Sequence, residues 1–70
     1  MARMYNHYYD DVVEQLERYL PATANIDMAL IHVYACNLVN GLEVKHIDNN
    51  YAITITYDKN VNQINISYEI

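Results

Sequence analysis

Residues 26–39, IDMALIHVYACNLV, would carry apolar side chains around almost the whole circumference of a helix. That limits what this chain can fold into. On a wheel turning 100° per residue, Ile26, Leu30 and Val33 point one way and Ile31, Ala35 and Leu38 another. Met28, Ala29, Cys36 and Val39 complete the ring, which only Asp27, His32 and Asn37 interrupt. A helix apolar on all sides is normally covered on all sides. The chain has 70 residues, enough for a single domain 1–70, so one further helix and one sheet are all the cover it can provide itself. Part of this helix is therefore expected to face another molecule.

The preceding segment, about 4–20, reads as that further helix. Tyr5, Tyr8, Val12, Leu16 and Tyr19 recur at helical spacing, and Tyr9, Val13 and Leu20 widen the stripe. His7, Asp10, Asp11, Glu14, Glu17 and Arg18 take the other side. Pro21 ends the helix, because the residue before a proline is pushed out of helical geometry. The apolar helix follows over about 25–40. Thr23 or Asn25 is the expected cap, Asp27 sits favourably near the positive dipole end, and Asn40-Gly41 is the stop.

From residue 42 the period changes to two, with strands expected at about 42–47, 51–57 and 62–69. Tyr51, Ile53, Ile55 and Tyr57 alternate with Ala52, Thr54 and Thr56. Ile64, Ile66, Tyr68 and Ile70 alternate with Asn65, Ser67 and Glu69. Asp48-Asn49-Asn50 and Asp58-Lys59-Asn60 supply the turns. Such alternation suits an antiparallel sheet with one solvated face, here Thr54, Thr56, Asn65, Ser67 and Glu69. The predicted architecture is α+β, with two N-terminal helices packed on one face of a three-stranded antiparallel meander (α-α-β-β-β). The last strand is an edge whose only charge is Glu69, a weak guard against pairing with another chain.

Charge argues against several partners. Nine Asp and Glu against four Lys and Arg give a net charge of −5, and Arg3, Arg18, Lys45 and Lys59 are scattered. Direct nucleic-acid binding needs clustered cations, and an anionic membrane needs a basic amphipathic helix; the sequence offers neither. No run is long and apolar enough to span a membrane, and the N-terminus lacks the apolar core of a signal peptide. With the lone Cys36, which excludes an internal disulfide, these features predict a reducing, cytoplasmic setting.

Candidate chemistry is sparse. His7 with Asp10 and Asp11 has a spacing that could touch one metal ion, but a site needs a third and fourth ligand. Cys36 reads as a buried, inert thiol, His32 as a locally bonded core or interface residue, and His46 as a surface residue beside a turn. The single Gly41 precludes a glycine-rich phosphate loop, and no nucleophile–base pair is visible. No catalytic, cofactor-binding or metal-binding residue is expected. Of the eight tyrosines, Tyr5, Tyr8, Tyr19, Tyr51, Tyr57 and Tyr68 fall on the inward stripes, leaving Tyr9 and Tyr34 as expected exposed anchors.

The expected function is that of a small acidic, non-enzymatic protein-binding module. Asp10, Asp11, Glu14, Glu17 and Tyr9 would meet a protein partner with a basic surface. A homodimer would form through the second helix or the last strand, using His32, Tyr34, Cys36, Asn37, Ser67 and Glu69. By compositional analogy the module is a phage-type inhibitor of a host nucleic-acid-binding defence protein, such as an anti-CRISPR or anti-restriction factor. The alternatives are a structural or assembly subunit of a larger complex, or a small ligand-binding domain. Three carboxylates over about 10 Å of helix imitate the one charge per roughly 3.4 Å of a DNA strand only sparsely, unless a dimer joins two such faces.

Overall fold

The computed structural model describes residues 7–69. Tyr5, Ile70 and the expected first helical residues from Met4 lie outside the described residues, as does the side chain of His7. The chain forms α1 (His7–Tyr19), α2 (Met28–Val39), β1 (Val44–Ile47), β2 (Ala52–Asp58) and β3 (Gln63–Tyr68). The sheet is antiparallel in the order β1-β2-β3, with Val44 opposite Ile55 and Ile55 opposite Ile66. Helix α1 packs against α2 and β3, while α2 covers β1 and β2. This is the α-α-β-β-β arrangement that the change of period predicts.

The second helix starts later than expected, at Met28, because the chain before it is held by contacts to the sheet end of the fold. The Thr23 hydroxyl bonds to the Tyr51 hydroxyl, and the Asn25 backbone N–H donates to Asp48 Oδ2 at 2.9 Å. Asp27 caps α2 instead, its Oδ1 accepting from the Leu30 N–H at 2.9 Å. Ile26 and Ile31 then occupy the N′ and N4 positions, the spacing of a hydrophobic staple; Ile31 is in the core and Ile26, partly buried, packs against it. At the other end Gly41 takes a φ of 88°. Its N–H reaches the Leu38 carbonyl at 3.0 Å, and the Leu42 N–H reaches that of Asn37 at 2.9 Å. These two bonds make a Schellman motif, which needs the left-handed residue that glycine supplies without steric cost.

The core is Val12 and Leu16 from α1, Ile31, Ala35 and Leu38 from α2, and Val44, Ile53, Ile55 and Ile64 from the sheet. Burial on α2 thus follows one stripe, i, i+4, i+7. The opposite side, Ala29, Val33 and Cys36, is exposed, so the predicted surplus face is there. Cys36, expected to be buried, lies on that face: α1 and the sheet together reach only the near side of the helix.

The tyrosines also depart from expectation. Tyr8, Tyr19 and Tyr68 are about half exposed rather than inward, whereas Tyr9 and Tyr34 are half buried rather than exposed. The stripe of α1 centres on Val12 and Leu16 and widens through Tyr9, Val13 and Leu20. Tyr8 and Tyr19 are left on its opposite margin. The solvated sheet face is as predicted, with Thr56, Asn65, Ser67 and Glu69 exposed and Thr54 partly so.

These burial patterns set stability. Leu38→Ala, at a site 1% exposed, should cost about 2–5 kcal/mol in urea unfolding. Val33→Ala, on the uncovered side at 54% exposure, should stay within about 0.5 kcal/mol. Equal costs would mean that α2 is covered on both sides.

Candidate interaction surface

Of the expected partner-binding acids, Asp10, Glu14 and Glu17 share the exposed side of α1, turned away from α2 and the sheet. Glu14 accepts from Arg18 at 3.3 Å, a solvent-exposed pair of little energetic weight. Asp11 does not join them. It points toward the β2–β3 turn, where its Oδ2 accepts from Asn62 Nδ2 at 2.8 Å.

Asn62 is a junction that periodicity alone does not reveal. Its φ of 54° is a left-handed conformation that asparagine tolerates better than most residues. Its side chain also accepts the Tyr57 hydroxyl at 2.6 Å, while its carbonyl accepts from Gln15 Nε2 at 2.9 Å. Gln15 Oε1 in turn accepts the Ile64 N–H at 2.9 Å, so one side-chain amide bonds to the backbone of β3 as a neighbouring strand would. Burial, then the nearby Tyr8, Asp11 and Asp58, pushes the Tyr57 hydroxyl above its ordinary pKa.

His46, expected at the surface, is 5% exposed. Val44 and His46 share the inward parity of β1, a signal that the nearby turn obscured. A carboxylate can only accept, so His46 Nε2 donates to Asp48 Oδ2 at 2.9 Å. In the neutral ring Nδ1 then accepts the Tyr34 hydroxyl at 2.7 Å. The row Tyr34–His46–Asp48 has the order of a nucleophile, a base and an orienting acid. However, burial and the Asp48 charge push the Tyr34 hydroxyl above its ordinary pKa, which disfavours the reactive tyrosinate. Asp48 also accepts the N–H groups of Asn25, Asn50 and Tyr51 at 2.9, 2.8 and 2.8 Å.

The expected dimer residues fall into two groups. His32 and Cys36 are exposed on α2, with His32 Nδ1 bonded to the Tyr9 hydroxyl and its ring stacked on that tyrosine at 5.7 Å. Tyr34 and Asn37 are half buried on the flank of α2, and Tyr34 is committed to His46. Ser67 and Glu69 lie apart from these, on and just beyond the edge strand, where Glu69 accepts the Thr54 hydroxyl at 2.7 Å. Beside that edge, Tyr19, Gln63, Ile64, Ile66 and Tyr68 line an open groove of about 210 Å³. The inward tyrosine stripe suggests burial here; the groove opens where α1 ends, with Tyr19 beside Ile66 and Tyr68.

Among the described residues, no group of three or more His, Cys, Asp or Glu is placed to hold a metal ion. Nor is any described helix long and apolar enough to cross a membrane. No protein-family model, curated protein or solved structure is detectably similar to this chain.

The Asp48 junction makes a pH prediction. Hydrogen bonds from the Asn25 N–H, His46 and the Asn50 and Tyr51 N–H groups hold its carboxyl well below the usual range, outweighing burial. With the folded pKa depressed, its stabilising contribution is complete above the unfolded pKa, near 3.9, and is lost as pH falls below that. The Tm should therefore drop as pH falls below about 4. Asp48→Asn should lower the Tm at neutral pH and flatten that acid slope. An unchanged slope would show that the junction does not link acid to unfolding.

Proposed function

We propose that this chain is a non-enzymatic protein-binding module whose exposed α1 side docks on a basic surface of a protein partner. The observation that carries this reading is the shared, outward placement of Asp10, Glu14 and Glu17 on one helix. Asp10 and Glu14, one turn apart, repel each other at a small cost, beside the favourable first-turn place of Asp10 and the Glu14–Arg18 pair. Like charges gathered on one face also steer an oppositely charged partner to it. A partner that holds nucleic acid has such a basic surface, which makes inhibition of a nucleic-acid-binding defence protein the specific form of the proposal. The internal commitments of His32 to Tyr9 and of His46 to Tyr34 and Asp48 favour a reading without catalysis.

A second reading, an assembly subunit, is favoured by the exposed apolar side of α2, Ala29, Val33 and Cys36. The two separate by behaviour: a binding module stays a discrete species in light scattering, whereas an orphaned subunit aggregates at rising concentration.

The triple variant Asp10→Lys, Glu14→Lys, Glu17→Lys should keep its circular dichroism spectrum. Affinity capture from source cells should return basic proteins with the wild type, released by raised salt, and these should be absent with the variant. Identical captured sets would remove the acidic face from the mechanism.

A further inference from the structure

We propose that the chain forms a twofold dimer by pairing β3 with β3 of a second copy, in an antiparallel register centred on Ser67. This sheet edge is separate from the acidic side of α1. The Glu69 N–H bonds to the Ala52 carbonyl at 2.8 Å, so the backbone groups of residues 63, 65, 67 and 69 turn toward β2. Those of residues 64, 66 and 68 turn outward. Gln15 already fills the first outward position through the Ile64 N–H and the Asn62 carbonyl. Ile66 and Tyr68 remain, with no backbone partner on the outer side among the described residues.

An axis through Ser67 matches this remainder. Ile66 lies opposite Tyr68 of the second copy, and Tyr68 opposite its Ile66, each pair exchanging both N–H···O=C bonds. An axis through Ile66 would instead oppose Tyr68 to Ile64, whose N–H is already taken. Gln15 therefore selects the register. Side chains agree with it. On the solvated face Glu69 meets Asn65 of the copy and Ser67 meets Ser67, so no like charges are opposed. On the helix side the half-exposed Tyr68 of the copy reaches the groove beside Tyr19, Ile64 and Ile66.

The self-complementary register points to a second copy as the occupant, and charge does not oppose it. A chain of net charge −5 repels its twin wherever acids gather, but Gln63–Glu69 carries one carboxylate and no base. The other edge, β1, is only four residues long and carries an exposed Lys45, the usual guard of an unpaired strand.

Cysteine cross-linking tests the register. Directly opposed residues in a non-hydrogen-bonded antiparallel pair have Cα atoms about 4.5 Å apart, within the roughly 4.4–6.8 Å range of a disulfide. In a Cys36→Ser background, Ser67→Cys should give a covalent dimer on mild oxidation, and Asn65→Cys alone should not. Mixing Asn65→Cys with Glu69→Cys chains should link the two. Separately, Asn65→Glu places two acid pairs across the axis and should raise the dimer dissociation constant roughly tenfold in sedimentation. Adding Glu69→Lys should restore it. Circular dichroism confirms that each variant is folded. The proposal is overturned by a wild type that sediments as a monomer at high micromolar concentration, by a dimer that links only through native Cys36, or by indifference to Asn65→Glu.

Discussion

The carboxylate of Asp48 holds one end of the molecule together. It accepts from Asn25 in the connection before α2, from His46 on β1, and from Asn50 and Tyr51 in the turn that follows. Four donors match the roughly four acceptor sites of an ionised carboxylate, so this partly buried group is fully bonded. Through His46 the network reaches Tyr34, so the position of α2 over the sheet is fixed by polar bonds as well as by Ile31, Ala35 and Leu38. Such a network specifies a unique arrangement only when every member is paired, and each ring nitrogen of His46 is.

The far end uses the same device with different residues. Gln15 and Asp11 fasten α1 to Asn62 and Ile64, and the apolar core fills the space between the two junctions. Among the surfaces this division of labour leaves to solvent are the acids of α1, the outer side of α2, the polar face of the sheet and the open part of β3. Association through any of them leaves both junctions untouched. A partner can therefore bind without remodelling the domain.

Much of the fold was legible because the sequence changes period once, from helical spacing to strict alternation near residue 42. Pro21 and Gly41 mark helix ends for reasons local enough to read directly. The errors share a physical origin. His46 reads as surface from its proximity to a turn, although its parity with Val44 places it inside. Thr23 and Asn25 are good caps in isolation, but Tyr51 takes the Thr23 hydroxyl and Asp48 the Asn25 backbone N–H from across the fold, and Asp27 caps the helix. Cys36 reads as inside because its neighbours are apolar, yet a two-layer fold has one inside for each helix. Of the acidic set, Asp11 could not be told from Asp10, since its partner lies 51 residues away. The groove beside Tyr19 depends on where α1 stops covering β3, which no local pattern encodes.

The bonds to Asn62 span 47 and 51 residues, and this bears on how the molecule comes into being. During synthesis the residues of α1 are made before Asn62, and Val12 and Leu16 then have no sheet to rest on. A 13-residue helix without tertiary support is marginal in water, so the nascent segment waits largely unstructured. Its carboxylates keep it hydrated meanwhile. Docking of the first segment through Asp11 closes a loop of 51 residues and needs the last hairpin in place.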